Sequence, residues 1–181
     1  MHPLSRRKLL RAAATLSATL LGRKAWAEPL EDISALKTAP SPSAAPDITF
    51  LSADGSEHHL SEFEGRGVVL NFWATWCAPC VAEMPGLGKL ASAVASQNIA
   101  VLPLSADRGG VLVVQQFYEQ HGVQSLPILL DPKGAAARAF GVSGLPTTII
   151  IDKKGQEHAR LTGGADWSTE AASRKVRELA G

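Results

Sequence analysis

The sequence predicts an α/β fold, a mixed β-sheet flanked by helices on both faces, and three observations carry that expectation. Apolar strand-like runs alternate with helical patterns through residues 68–121. Two further runs, residues 149–152 and 158–161, are separated by Lys153, Lys154 and Gly155 and read as a late hairpin. A helix from Ser168 then completes the order β-α-β-α-β-β-α. At 181 residues, with 45% hydrophobic and 19% charged residues, the chain has length for one ordinary domain plus extensions.

The first 27 residues read as an export signal. Ser5-Arg6-Arg7-Lys8 supplies the charged start, Ala12 to Leu21 a short apolar middle, and Ala25-Trp26-Ala27 a small-x-small cleavage site. The adjacent arginines resemble the twin-arginine export motif, with an ordinary secretory signal as the alternative. The apolar run is half of what a membrane-spanning helix needs, so a soluble mature protein beginning near Glu28, without membrane association, is expected. All six basic residues of this stretch precede a remainder with 12 basic and 17 acidic residues, a balance that argues against a nucleic-acid-binding surface. Residues 28–46, with Pro29, Pro40, Pro42 and Pro46 among Ala, Ser and Thr, read as a flexible spacer, leaving a domain over residues 47–181.

The domain opens with a hairpin: residues 48–51, a turn at Asp54-Gly55, then His58-His59-Leu60. Neighbouring strand residues face opposite ways, so the paired histidines read as surface residues rather than a chelating pair. Residues 68–74 are short, β-branched and aromatic, the pattern of a buried strand. Val81, Met84, Leu87, Leu90, Ala91 and Val94 then recur at spacings of three and four, one apolar face of a helix.

Between strand and helix lies Trp76-Cys77-Ala78-Pro79-Cys80, with the only two cysteines. At a helix start the unpaired N–H groups and the helix dipole favour a thiolate, which makes Cys77 a candidate nucleophile. Cys80, one turn on, is within reach for a disulfide. An inert staple would close too short a ring to constrain much of the chain, and a zinc site would need two more ligands.

Residues 100–105 read as a second core strand, with Pro103 implying one unpaired side there. Residues 107–121 read as a helix ended by Gly122, and His121 as a helix-end residue rather than a ligand. A short strand at residues 128–130 and a short helix at 135–140 follow. Gly144-Leu145-Pro146-Thr147 then sets a proline at the mouth of the apolar run 149–151, which forfeits a ladder hydrogen bond. In the last helix Ala172, Val176 and Leu179 form the apolar stripe.

The segment Asn71-Phe72-Trp73-Ala74-Thr75-Trp76-Cys77-Ala78-Pro79-Cys80, with Glu83-Met84-Pro85 and the later Gly144-Leu145-Pro146-Thr147, resembles the thioredoxin superfamily. Within it the chain is most similar to the exported TlpA-like branch, which includes the reductases of cytochrome c maturation. The resemblance implies a thioredoxin-like fold with an N-terminal β-hairpin, and makes the strand and helix of residues 128–140 a central βα addition. It implies a redox-active Cys77–Cys80 disulfide, a cis-proline at Pro146 facing it, and substrate contacts from Trp76, Leu145 and Pro146. Thioredoxins carry a buried acid where Asn71 stands, and Asn cannot accept a proton. Glu83, three residues beyond Cys80 on the same helical face, is the substitute candidate for moving a proton to or from Cys80.

The expected activity is that of a periplasmic thiol:disulfide oxidoreductase, a reductant that needs no cofactor or metal. Its expected clients are protein disulfides, such as those of apocytochrome c or copper-site proteins, with a membrane thiol transporter as electron donor and a monomer as working state. A copper-binding assembly factor using the same two thiolates is the alternative from another class, since soft thiolates suit Cu(I), though no third ligand stands nearby in the sequence. A peroxidase is disfavoured because Thr75 lies two residues before Cys77 rather than three.

Overall fold

The computed structural model of the chain describes Leu30 and residues 32–181, so the export signal expected over residues 1–27 lies outside the described part. The first strand corrects the expected spacer. Residues Lys37–Ala44 form β1, whose register runs antiparallel to a later strand, Lys37 opposite Arg160 and Ala44 opposite Gln156. Pro40 and Pro42 fall within an irregularity between Thr38 and Ser43. An edge strand tolerates such prolines because a missing N–H on the open side costs no ladder bond. Nearly every β1 side chain is exposed, with Leu36 buried just before it, so backbone pairing rather than core burial holds the segment. The domain therefore begins before Asp47.

The hairpin follows as β2 (Thr49–Ser52) and β3 (Glu57–His59), turning at Gly55 with φ +84°. His58 stacks on Phe50 and pairs with Glu62 at 2.9 Å, while His59 is exposed on the other face. Next come β4 (Gly67–Trp73), α1 (Ala78–Val94), β5 (Ile99–Ser105), α2 (Val111–His121), the two-residue β6 (Leu129–Leu130) and α3 (Ala135–Ala139). The chain ends with β7 (Thr147–Ile151), β8 (Gln156–Thr162) and α4 (Glu170–Ala180).

These strands make one eight-stranded sheet in the order β1-β8-β7-β4-β5-β6-β2-β3. The β4–β5 and β5–β6 pairs are parallel and the others antiparallel. β4 lies at the centre with all seven residues buried, as its unbroken apolar pattern requires. Alternate side chains feed two cores. Val69 and Trp73 join Leu87, Leu90 and Val94 of α1, Phe117 of α2 and Val176 of α4 on one side. Val68, Leu70 and Phe72 meet Ala136 of α3, Phe140 and the hairpin's Phe50 on the other. Helices therefore cover both faces, as expected of this thioredoxin-like fold. Pro103 is opposite Asn71 of β4, while on its other side the β6 register begins only at Leu104, the unpaired side its ring implied.

One helix starts later than its pattern suggested. Residues 107–110 stay outside α2, because the Asp107 side chain is engaged elsewhere and Gly110 turns the chain at φ +68°. Among the described residues no helix is long and apolar enough to cross a membrane.

Candidate active site

The two sulfurs stand where β4 hands over to α1. Cys77 caps the helix in an extended conformation, Ala78 and Pro79 open the first turn, and Cys80 completes it. Pro79 fits there because an N–H at that point would have no helical partner. The Cys77 Sγ accepts the Cys80 N–H at 3.3 Å, so the sulfur lies against the unpaired donors of the helix start. Cys77 and Cys80 are joined as a disulfide with Cα atoms 5.2 Å apart. Cys77 keeps 7% of its surface open, whereas Cys80 is sealed. A leading cysteine that keeps some surface open and a second one that is sealed suit attack on an outside disulfide followed by internal resolution.

Trp76, 71% exposed, stands beside Cys77. The Leu145–Pro146 bond is cis. Pro146 is buried and its carbonyl accepts the Gly163 N–H at 2.9 Å, while half-buried Leu145 has no backbone partner among the described residues. A backbone with free N–H and C=O groups can receive an extended chain as an added strand.

Glu83 is fully buried beneath α1, not a solvated helix-surface residue. Its Oε2 accepts the Ala165 N–H at 3.0 Å and the Trp167 indole N–H at 3.1 Å. Its Oε1 accepts from Asn71 Nδ2 at 2.8 Å, and the same Nδ2 donates to Thr148 Oγ1 at 2.9 Å. Burial pushes the Glu83 carboxyl up to about 7, against the pull of these hydrogen bonds from Ala165, Asn71 and Trp167. A carboxyl that titrates near neutrality, one helical turn from Cys80, is suited to exchange a proton with it.

Several contributors escaped the sequence reading. Asn71, noted there only for what it cannot do, grips the acid from the adjacent strand. Trp167 reaches the acid from the loop before α4 and Thr148 holds Asn71 from β7, and no local pattern marked either of them. Asp107 is a further buried acid, and it braces the loop entering the motif. It accepts the Thr75 N–H at 2.9 Å, the Thr75 hydroxyl at 2.8 Å and the Ser105 hydroxyl at 2.8 Å. Gly164 packs so closely that a Cβ there would lie 3.2 Å from the Pro79 carbonyl and 3.0 Å from Leu30. His121 ends α2 at the Phe117 carbonyl, and among the described residues no three His, Cys, Asp or Glu side chains gather as a metal site.

A family model described as the AhpC/TSA family matches residues 42–156. The chain is 39% identical over 121 residues to the thiol-disulfide oxidoreductase ResA of Geobacillus thermodenitrificans (strain NG80-2), spanning 67% of this chain and 68% of that protein. Its fold is similar to that of a secreted thiol-disulfide isomerase from Corynebacterium glutamicum, with TM-score 0.66 and 26% identity over 81% of this chain and 89% of that one. It is similar also to the exposed lipoprotein thioredoxin Etrx1 of Streptococcus pneumoniae strain TIGR4, with TM-score 0.64 and 28% identity over 74% and 100% of the two chains.

Proposed function

This chain belongs to the AhpC/TSA family of thioredoxin-like proteins and is a thiol:disulfide oxidoreductase acting on protein disulfides, and from that premise we propose an exported reductant with a two-cysteine mechanism. The observation that carries the mechanism is the Cys77–Cys80 pair at the start of α1, over a buried carboxyl raised to about 7. Cys77 thiolate attacks one sulfur of the client disulfide, whose S–S bond breaks to release a thiolate that takes a proton from water. Cys80 gives its proton to Glu83 and attacks the Cys77 sulfur. The mixed disulfide breaks, the second client sulfur leaves as a thiolate that takes a proton from water, and the client has gained two electrons. The protein ends in the Cys77–Cys80 disulfide and is reset by a dithiol electron donor at the membrane. Trp76, beside Cys77 in the chain, and Leu145 and Pro146 receive the client chain.

The first 27 residues then serve as the export signal, by the twin-arginine route, and the clients are disulfides of periplasmic proteins such as apocytochrome c or copper-site proteins. Support for export comes from the basic and apolar pattern of that segment, and N-terminal sequencing of the periplasmic protein should begin near Glu28. The mechanism is tested with Cys80→Ser. Reduced and mixed with an oxidised CxxCH peptide of an apocytochrome c, it should accumulate a covalent adduct that dithiothreitol dissolves, and Cys77→Ser should form none. Turnover by Cys77→Ser at the normal rate would sink the reading. A reduction potential well above about −200 mV would reverse the direction and make the protein an oxidant.

A further inference from the structure

The two oxygens of Glu83 are held by different kinds of partner. Oε2 is bound by a peptide N–H and an indole N–H, groups that can only donate. Oε1 is bound by Asn71 Nδ2, part of an amide with a donor on one side and an acceptor on the other. Nδ2 also donates to Thr148 Oγ1, a hydroxyl able to donate or accept. The opposite end of the amide, Asn71 Oδ1, is buried with no hydrogen-bond partner among the described residues. An unpartnered carbonyl in a closed interior is costly, and its presence opposite a reversible contact needs a reason.

We propose that Asn71 is a positioning residue whose side-chain amide turns by 180° as Glu83 gains or loses its proton. With Glu83 ionised, Nδ2 faces Oε1 and Thr148, the arrangement described above. A proton arriving on Glu83 goes to Oε1, since both contacts of Oε2 are donors. The new O–H then points at Nδ2, donor against donor. Reversal brings Oδ1 round to accept from Oε1–H and from the Thr148 hydroxyl, and sends Nδ2 to the unpaired side. Each protonation state thus leaves one end of the amide without a partner, and neither state of Glu83 is left with a clash. An Asp in place of Asn71 could not do this, because its two oxygens only accept when ionised.

The other groups facing Glu83 leave the switch to these residues. Thr148 comes from β7 against Asn71, Ala165 and Trp167 from the loop before α4, and Cys80 from the same helix; with Cys80 held in the disulfide none of these titrates. Asp166 on that loop accepts from Ser168 N–H at 3.0 Å and Ser168 hydroxyl at 2.6 Å, away from the cluster. The inference deepens the reading of Glu83 as the proton carrier and rests on it.

Nuclear magnetic resonance on the oxidised, isotope-labelled protein tests both separately. Glu83 Cδ should titrate with a midpoint near neutrality. Nuclear Overhauser contacts from the Asn71 amide protons to the Thr148 β-proton should be present at pH 8.5 and lost at pH 5.5. Glu83→Gln, whose Nε2–H stands in for the carboxyl O–H, should hold the amide reversed at both pH values. Asn71→Leu should move the Glu83 midpoint up by about one unit, because the charge-assisted bond lost by the ionised form is the stronger one. The pH profile of thiol alkylation in the reduced Asn71→Leu protein should move with it. A Glu83 that titrates while the Asn71–Thr148 contacts persist at both pH values overturns the switch alone. A Glu83 that does not titrate between pH 5 and 9 overturns the switch and the proton-carrier reading together.

Discussion

Glu83 and Asp107 are both buried acids beside the same four-residue motif, and each accepts three hydrogen bonds. Their settings differ. Asp107 stands at the rim, where β5 ends and the half-buried Thr75 begins the turn into Cys77, and its donors come from those two segments. Glu83 is enclosed on the α1 side of the sheet, in the core that includes Met84, Leu87 and Trp167. Three donors there do not offset the loss of water, which is why its proton is retained up to about pH 7. Similar hydrogen-bond counts therefore serve an acid that braces a loop and an acid removed from water beneath a helix. Depth and the kind of donor separate them.

That contrast can be broken most directly at Glu83. Its carboxyl is raised from 4.5 to about 7, so the folded state holds a proton that the unfolded chain has already released. Stability should fall as pH rises from about 4.5 to about 7 and stay reduced above that, a loss on the order of 3 kcal/mol. Glu83→Gln should recover most of it at pH 8 and little at pH 4.5, as urea unfolding at the two pH values would reveal. Equal gains at both would mean the carboxyl is not destabilised by its burial.

Asp107→Ala should act with the opposite sign. It leaves the Thr75 N–H and two hydroxyls without their acceptor, a cost of about 2 kcal/mol by thermal unfolding. Turnover of a small disulfide should drop while the midpoint of its pH profile stays put; a moved midpoint would make Asp107 part of the proton chemistry. Gly164→Ala presses a methyl on Pro79 and should cost about 1 kcal/mol, with a measurable change in thiol alkylation rate that a remote surface substitution would not produce. The smallest effect on stability belongs to Trp76→Ala, within about 0.5 kcal/mol because the ring is exposed. Its expected signature is a several-fold higher KM for a protein disulfide, and an unchanged KM would remove Trp76 from client binding.

Local features were readable. The strand 68–74, the helix face of Met84, Leu87 and Leu90, and the sulfur pair between them are carried by neighbours in the chain, where period and spacing are physical signals. Segments held by something other than their own side chains were not. β1 has exposed Pro, Ser and Ala and no alternation, so its antiparallel register with β8 left no mark in the residues. Residues 107–110 looked helical because helix propensity does not register a carboxylate bonded to Thr75, 32 positions earlier.

From the residues alone came the chemistry: two sulfurs three positions apart at a helix start, a proline before a late strand, and an acid one turn beyond the second sulfur. Only the tertiary structure decided what that acid can do. Asn71, itself bonded to Thr148, converges with Ala165 and Trp167 on Glu83 across separations of up to 84 residues between partners. Removal from water is a property of the packed sheet and helices together, and it is this removal, opposed by three donors, that sets when Glu83 lets its proton go.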